Sequence, residues 1–376
     1  MRMRMFRPLA ALFFAAIVVA CGGDESDDAA TDATTTSVES TTVAPTTSED
    51  TTTTTTSSTT TVPVDLGPTH PLSGEPIGEE EPADHPAVVV KISNNNATAR
   101  DALLGLDRAD LIYEERIESQ ATRFAAVFHS DLPDEVGSVR SGRTSDVEIV
   151  SNLNQPVFAY SGANDGVSAQ LRQAENEGLL VRASADFGHS EFSRISSFSA
   201  PDNMVADVAT LVERGEGGEP PSPVFDYSNN LFDIGSPSAG VRIAAREGTD
   251  DAVFAWSATD NGYLRFQDRT GRHGTRDGVQ LAPANVVVLT TIYLPSRVDR
   301  ASVDAVIVGE GDAVVYSNGF RVEGTWTREF ERDPYTLTTP DGQTIGLAPG
   351  QTWVSLTPAG TSIEISANEA NALKDS

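Results

Sequence analysis

Cysteine is almost absent: Cys21 stands alone in 376 residues. That excludes an internal disulfide framework and any cysteine-based zinc or iron–sulfur site. Cations are scarce too. Lys and Arg number 26 against 55 Asp and Glu, for a formal net charge of −29. Such a balance argues against nucleic acid as a partner, because phosphate backbones are met by clustered Lys and Arg. After the first twenty residues no long apolar run occurs, so the remainder reads as soluble. The five histidines (His70, His85, His129, His189 and His273) show no metal-ligand spacing and no HExxH. Nothing in the sequence calls for a metal or any other cofactor.

What is present begins with "MRMRMFRPLAALFFAAIVVA". Arg2, Arg4 and Arg7 precede a dozen apolar residues, too few to span about 30 Å of hydrocarbon, so residues 1–20 read as a signal peptide. The small residues of "VVAC" resemble the lipobox of bacterial lipoproteins. The resemblance implies that Cys21 becomes a lipidated N-terminus carrying at least two acyl chains, such as palmitate. It would anchor the protein on the outer face of the plasma membrane, since one chain alone holds only marginally. Residues 21–68 are Thr/Ser-rich, acidic and nearly free of large apolar side chains, which predicts a disordered stalk. About 47 flexible residues reach roughly 35–40 Å.

The rest divides by pattern. Residues 69–218 alternate β-rich and helical stretches: "AVVVKIS", "ADLIYEERIE" and "TRFAAVFHS" as strands, then "SDVEIVSNLN", "DGVSAQLRQAENEG" and "DNMVADVATLVERGEGG" as helices around "QPVFAYSG" and "LLVRAS". This predicts an N-terminal layered α/β domain. The Gly/Pro-rich "GEGGEPPSPVFDYSNN" marks a boundary, and residues 235–366 predict a mainly antiparallel β domain. Asn318-Gly319, between alternating runs, is the strongest hairpin signal, and Asp341-Gly342 is a second. Trp256, Trp326 and Trp353 all fall in this half and are expected in its core.

The motifs resemble those of a known family. "HPLSGEP", "HPAVVVKISNNNATAR", "GLDRADLIYEERIESQATRFAAVFHS" and "EVGSVRSGRTSDVEIV" are similar to the YerB-like lipoproteins of bacteria, and "HGTRDGVQLAPANVVVL", "VGEGDAVVYSNGFRVEGTWTRE" and "LAPGQTWVSLTP" continue the likeness. The resemblance implies an exported, lipid-anchored, two-domain protein and no particular reaction. It places Asp110, Tyr113, Glu114, Glu118, Thr122, Arg123, Arg140, Ser141 and Arg143 at matching positions. One departure is clear: in "SFSAPDNMV" this chain has Asp202 where the family pattern has a histidine.

In so acidic a chain, "GSVRSGRTS" gathers Arg140 and Arg143 in a flexible-backbone turn. Strand alternation puts Tyr113, Glu115 and Ile117 on one face, with Glu114, Arg116 and Glu118 on the other. If the next strand pairs back, Arg123 comes near Glu114 or Glu118, and the turn closes over the same sheet end. The expectation is a mixed Arg/Glu site where Arg forks meet phosphate or carboxylate. The alternative is an internal salt-bridge network of the same residues. The preferred function is a non-catalytic binding module for an anionic wall or lipid-linked glycan, or for a protein of wall synthesis. A second reading is an enzyme on phosphate-linked wall precursors, with Glu114, Glu118 or Asp165 holding a divalent metal. The order "RADLIYE", "VRSGR", "GANDG" is similar to that of wall-polymer ligases of the LytR-CpsA-Psr type but lacks their Pro-Arg-Asp step. No Gly-x-Ser-x-Gly elbow supports Ser141 or Ser161 with His189 as a nucleophile pair. A purely structural scaffold is the third reading.

Overall fold

The computed structural model describes residues 67–376 except 80–81, 246–249 and 268–270. The leader, Cys21 and nearly all of the stalk lie outside the described residues. The N-terminal half contributes β1 (Val88–Ser93), β2 (Leu111–Arg116), β3 (Thr122–Phe128), β4 (Val157–Tyr160) and β5 (Val181–Ser184). Among its helices are α1 (Ala97–Asp101), α2 (Asp146–Val150), α3 (Asp165–Asn176) and α4 (Val208–Arg214). The C-terminal half adds β6 (Gly240–Ile243), β7 (Ala252–Ser257), β8 (Gly262–Gln267), β9 (Asn285–Thr290), β10 (Gly309–Ser317), β11 (Phe320–Arg328), β12 (Thr336–Thr338), β13 (Thr352–Thr357) and β14 (Ser362–Glu364).

One sheet of eleven strands runs through both halves in the order β12-β11-β10-β9-β13-β2-β3-β1-β4-β5, with Ser236–Pro237 paired to β11. The join is a parallel pairing of β2 with β13, Leu111 opposite Thr352 and Glu114 opposite Ser355. The fold is therefore mixed, with a large mixed sheet and a smaller antiparallel sheet built on β6, β7, β8 and β14. β2 and β3 pair antiparallel, as their alternation predicts. Asn318-Gly319 turns β10 into β11 with both residues at positive φ, the left-handed backbone a two-residue hairpin demands.

Both faces of the large sheet are covered, which is why β1 is buried throughout and reads as a β-branched run interrupted only by Lys91 before it ends at Ser93. One face packs Tyr113, Val127 and Phe158 against Val147, Val167 and Leu171 of α2 and α3. The other packs Ile112, Phe124 and Trp353 against α4 and against Val241, Phe254 and Tyr263 of the smaller sheet. Trp326 and Trp353 are buried, while Trp256 is half-buried and packs on Tyr263 and the Asn318-Gly319 turn. No described helix is long and apolar enough to cross a membrane.

Direction matters for the site. β1, β4 and β5 are mutually parallel, as are β2, β13 and β9; β3 runs against both β1 and β2. Six strands thus point the same way, and their carboxyl ends lie along one sheet edge, where ligands bind in open α/β sheets.

Candidate functional site

That edge is built on a buried charge triad. Lys91, midway along β1, donates to the Glu115 carboxylate and, at 2.6 Å, to Asp146 Oδ1. All three side chains are at most 1% exposed, so each charge depends on the others. Burial pushes the Glu115 carboxyl up, Lys91 opposes the shift and Asp146 adds to it. Asp146 Oδ2 also accepts from the Arg143 amide at 2.6 Å, which ties the arginine turn to the triad.

The turn is held by backbone bonds to both neighbouring strands. Arg140 N donates to the Lys91 carbonyl, and Gly142 N to that of Gly162 beyond β4. A Cβ on Gly142 would lie 3.1 Å from Leu171, so glycine permits the turn to press onto α3. Arg143 forks onto Glu118, its Nε reaching Oε2 at 2.7 Å. Burial pushes the Glu118 carboxyl up, but the Arg143 fork, a backbone hydrogen bond and the charges of Arg143 and Arg123 together hold the group below its usual range. Arg123 lies opposite Glu115 in register and gives one hydrogen bond, to the Ser141 carbonyl at 2.9 Å. Burial, reinforced by neighbouring Arg143, lowers it to about 10. Arg140 has its nearest carboxylate oxygen, on Asp202, at 3.7 Å, beyond hydrogen-bond reach. Asp202 supplies countercharge here, and it also accepts from Asn96 at 3.3 Å. Three guanidinium groups therefore share Glu118 and Asp202.

Other expected site residues lie elsewhere. Glu114 points to the opposite face, away from Arg123. There it pairs with Arg265 at 3.2 Å and accepts from Trp353 Nε1 at 3.1 Å. Arg265 is itself fully buried over the rings of Trp353, Phe124 and Phe254. Tyr113 is buried in the core with no partner for its hydroxyl. Asp110 sits at the far end of β2, accepting from the His129 and Ser130 amides, a structural cap. Ser141 takes part through its carbonyl. Asp165 opens α3, so Glu114, Glu118 and Asp165 do not converge. Among the described residues no group of three His, Asp or Glu could hold a metal ion. His189 meets Phe187 edge-on.

Alternation and spacing did not single out a second feature of the edge. The turn Asn94-Asn95-Asn96 after β1, with Arg100, Arg116, Thr122, Gln267 and Thr357, lines a cleft of about 340 Å³ between the large sheet and the smaller one. Arg100 pairs with Asp250 at 3.4 Å across its mouth. Three consecutive asparagines after a buried strand were the available signal, but alone they read as a turn.

Two family models match the chain in order. The N-terminal domain of a protein of unknown function (DUF3048) matches residues 72–219, and the corresponding C-terminal domain matches residues 241–354. The chain belongs to this family. Within the family, the chain is 26% identical over 306 residues to "Putative lipoprotein YerB" of Bacillus subtilis (strain 168), covering 80% of this chain and 89% of that one. The crystal structure of Bacillus subtilis YerB superimposes with a TM-score of 0.67 at 21% identity, covering 80% of this chain and all of the other. That likeness shows that the fold is shared.

Proposed function

We propose that the protein is a lipid-anchored, non-catalytic binding module on the outer face of the plasma membrane. Its ligand is an anionic wall or lipid-linked glycan. The lipobox-like "VVAC" and the lipoprotein description of the Bacillus subtilis relative support the anchor at Cys21. The observation that carries the binding role is the incomplete pairing of Arg123 and Arg140 at the sheet edge. Arg140, its side chain 16% exposed, is the group open to an external phosphate or carboxylate, with buried Arg123 adding positive charge behind it, at about 1.5–3 kcal/mol per charge-assisted bond. Two arginines give roughly millimolar affinity for one such group. A repeating polymer raises the effective affinity by presenting many groups to a tethered domain.

The Arg143–Glu118 fork favours a second reading, a structural scaffold with its arginines satisfied internally. The test is co-sedimentation of the full chain in detergent micelles with purified sacculi, and flotation with lipid-linked precursors, under a salt titration. The expected result is salt-sensitive binding that is lost in Arg140→Ala/Arg143→Ala while the variant stays folded. Binding unaffected by the double substitution, or none at all, would favour the scaffold.

A further inference from the structure

We propose that the cleft beneath Asn94–Asn96 is a second binding site, for a sugar-sized ligand carrying one carboxylate or phosphate. Arg116 makes the case. Its guanidinium is half-buried at the end of β2 and faces the cleft, yet it forms no hydrogen bond or ion pair with any described residue. Burial lowers its pKa, so the cation is held there at a cost that an incoming anion would relieve. The backbone beneath it is fixed: its amide donates to the Tyr293 hydroxyl at 2.9 Å, which donates to the Leu356 carbonyl at 2.9 Å.

An acceptor is unmet as well. Asn94 is 5% exposed and its Oδ1 is buried with no donor, while its Nδ2 is spent on Thr122 at 2.8 Å. A ligand that satisfies both groups brings an anion for Arg116 and a hydroxyl or N–H for Asn94. Glu114 does not repel it, because Arg265 and Trp353 already hold that carboxylate. Arg100, Arg116 and Arg265 stand against Glu114 and Asp250, leaving one positive charge among the described groups. At about 340 Å³ the cleft lies near the lower end of ligand pockets, roughly 300–1,000 Å³. Its wall mixes amides and hydroxyls with apolar Ile243, Ala252 and Leu356, which suits a sugar ring with polar edges and apolar faces.

The test is calorimetric titration of the full chain in detergent with glucuronate, glucose and inorganic phosphate, on the native protein, Arg116→Gln and Arg116→Lys. Glucuronate and glucose differ only in the carboxylate. The expected result is that at least one anion binds, at least tenfold more tightly than glucose. Arg116→Gln should weaken that binding at least tenfold with an unchanged unfolding midpoint, and Arg116→Lys should restore part of it. Phosphate binding without glucuronate would assign the anion as phosphate, and the reverse as carboxylate. Three results would each overturn the site: no binding of either anion up to tens of millimolar, equal binding by Arg116→Gln, or unfolding of that variant. The assay reads monosaccharides at Arg116, whereas the sacculus assay reads polymer at Arg140 and Arg143, so either proposal can fail alone.

Discussion

Arg265 and Arg140 sit within one fold and differ in almost every respect that decides what an arginine does. Arg265 is fully buried, ion-paired to Glu114, and flanked by three aromatic rings. Its pair joins β8 of the C-terminal half to β2 of the N-terminal half. Arg140 lies in a glycine-flanked turn at the sheet edge, partly exposed, with its nearest carboxylate oxygen 3.7 Å away. A cation whose partners are all internal holds the fold together; one left short of acceptors at an open edge can still accept a ligand.

That contrast can be broken at its structural end first. Arg265→Ala should cost about 3–5 kcal/mol in denaturant unfolding, because it strands Glu114 in the core and removes the cation–π contacts. A loss below about 1 kcal/mol would make the pair dispensable. Lys91→Met should cost about 3 kcal/mol, since Glu115 and Asp146 would then be buried together without a cation. The penalty should grow as pH rises above the usual carboxylate range. A Glu115 pKa raised in the fold means that the native state holds its proton longer than the unfolded chain does. Unfolding curves between acid and neutral pH would show whether the slope has that sign.

His129 is a buried base kept neutral. Neither ring nitrogen has a partner, and burial, with His85 and His70 nearby, lowers it to about 4. The unfolded chain therefore binds the proton first. Its contribution to stability is full above about pH 6.5 and is lost as pH falls towards 4, at most about 3.5 kcal/mol at roughly 1.4 kcal/mol per unit. His129→Phe should flatten that part of the pH–stability curve. Arg143→Ala should cost least, below about 1 kcal/mol, because its fork onto Glu118 is partly solvated. A loss of several kcal/mol would move Arg143 into the same class as Arg265.

Local order was legible in the sequence. The β-branched run of β1, the alternation of β2 and β3, the capped α3 and the Asn318-Gly319 turn each follow from residues within a dozen positions of one another. The parallel pairing of β2 with β13 was not, because it joins residues some 240 positions apart and leaves no local pattern. The same limit explains the site. Alternation placed Glu114 and Glu115 on opposite faces, but nothing near Glu114 indicates that Arg265 would pair with it. The turn "VRSGR" was legible as cationic; that Asp202 would stand beside Arg140 depends on a loop sixty residues later. Arg116 read as one more charge on a strand, and the strands that enclose it come from the other half of the chain.

Arg140 at the sheet edge meets an outside anion, whereas a buried arginine such as Arg265 holds the fold; this division of roles is the proposal at stake. It is tested most directly by measuring unfolding free energy and salt-titrated sacculus binding on a single variant, Arg140→Ala. The expected result is stability within about 1 kcal/mol of the native protein and binding reduced at least tenfold. Binding retained together with a stability loss of several kcal/mol would contradict it and make the edge part of the scaffold.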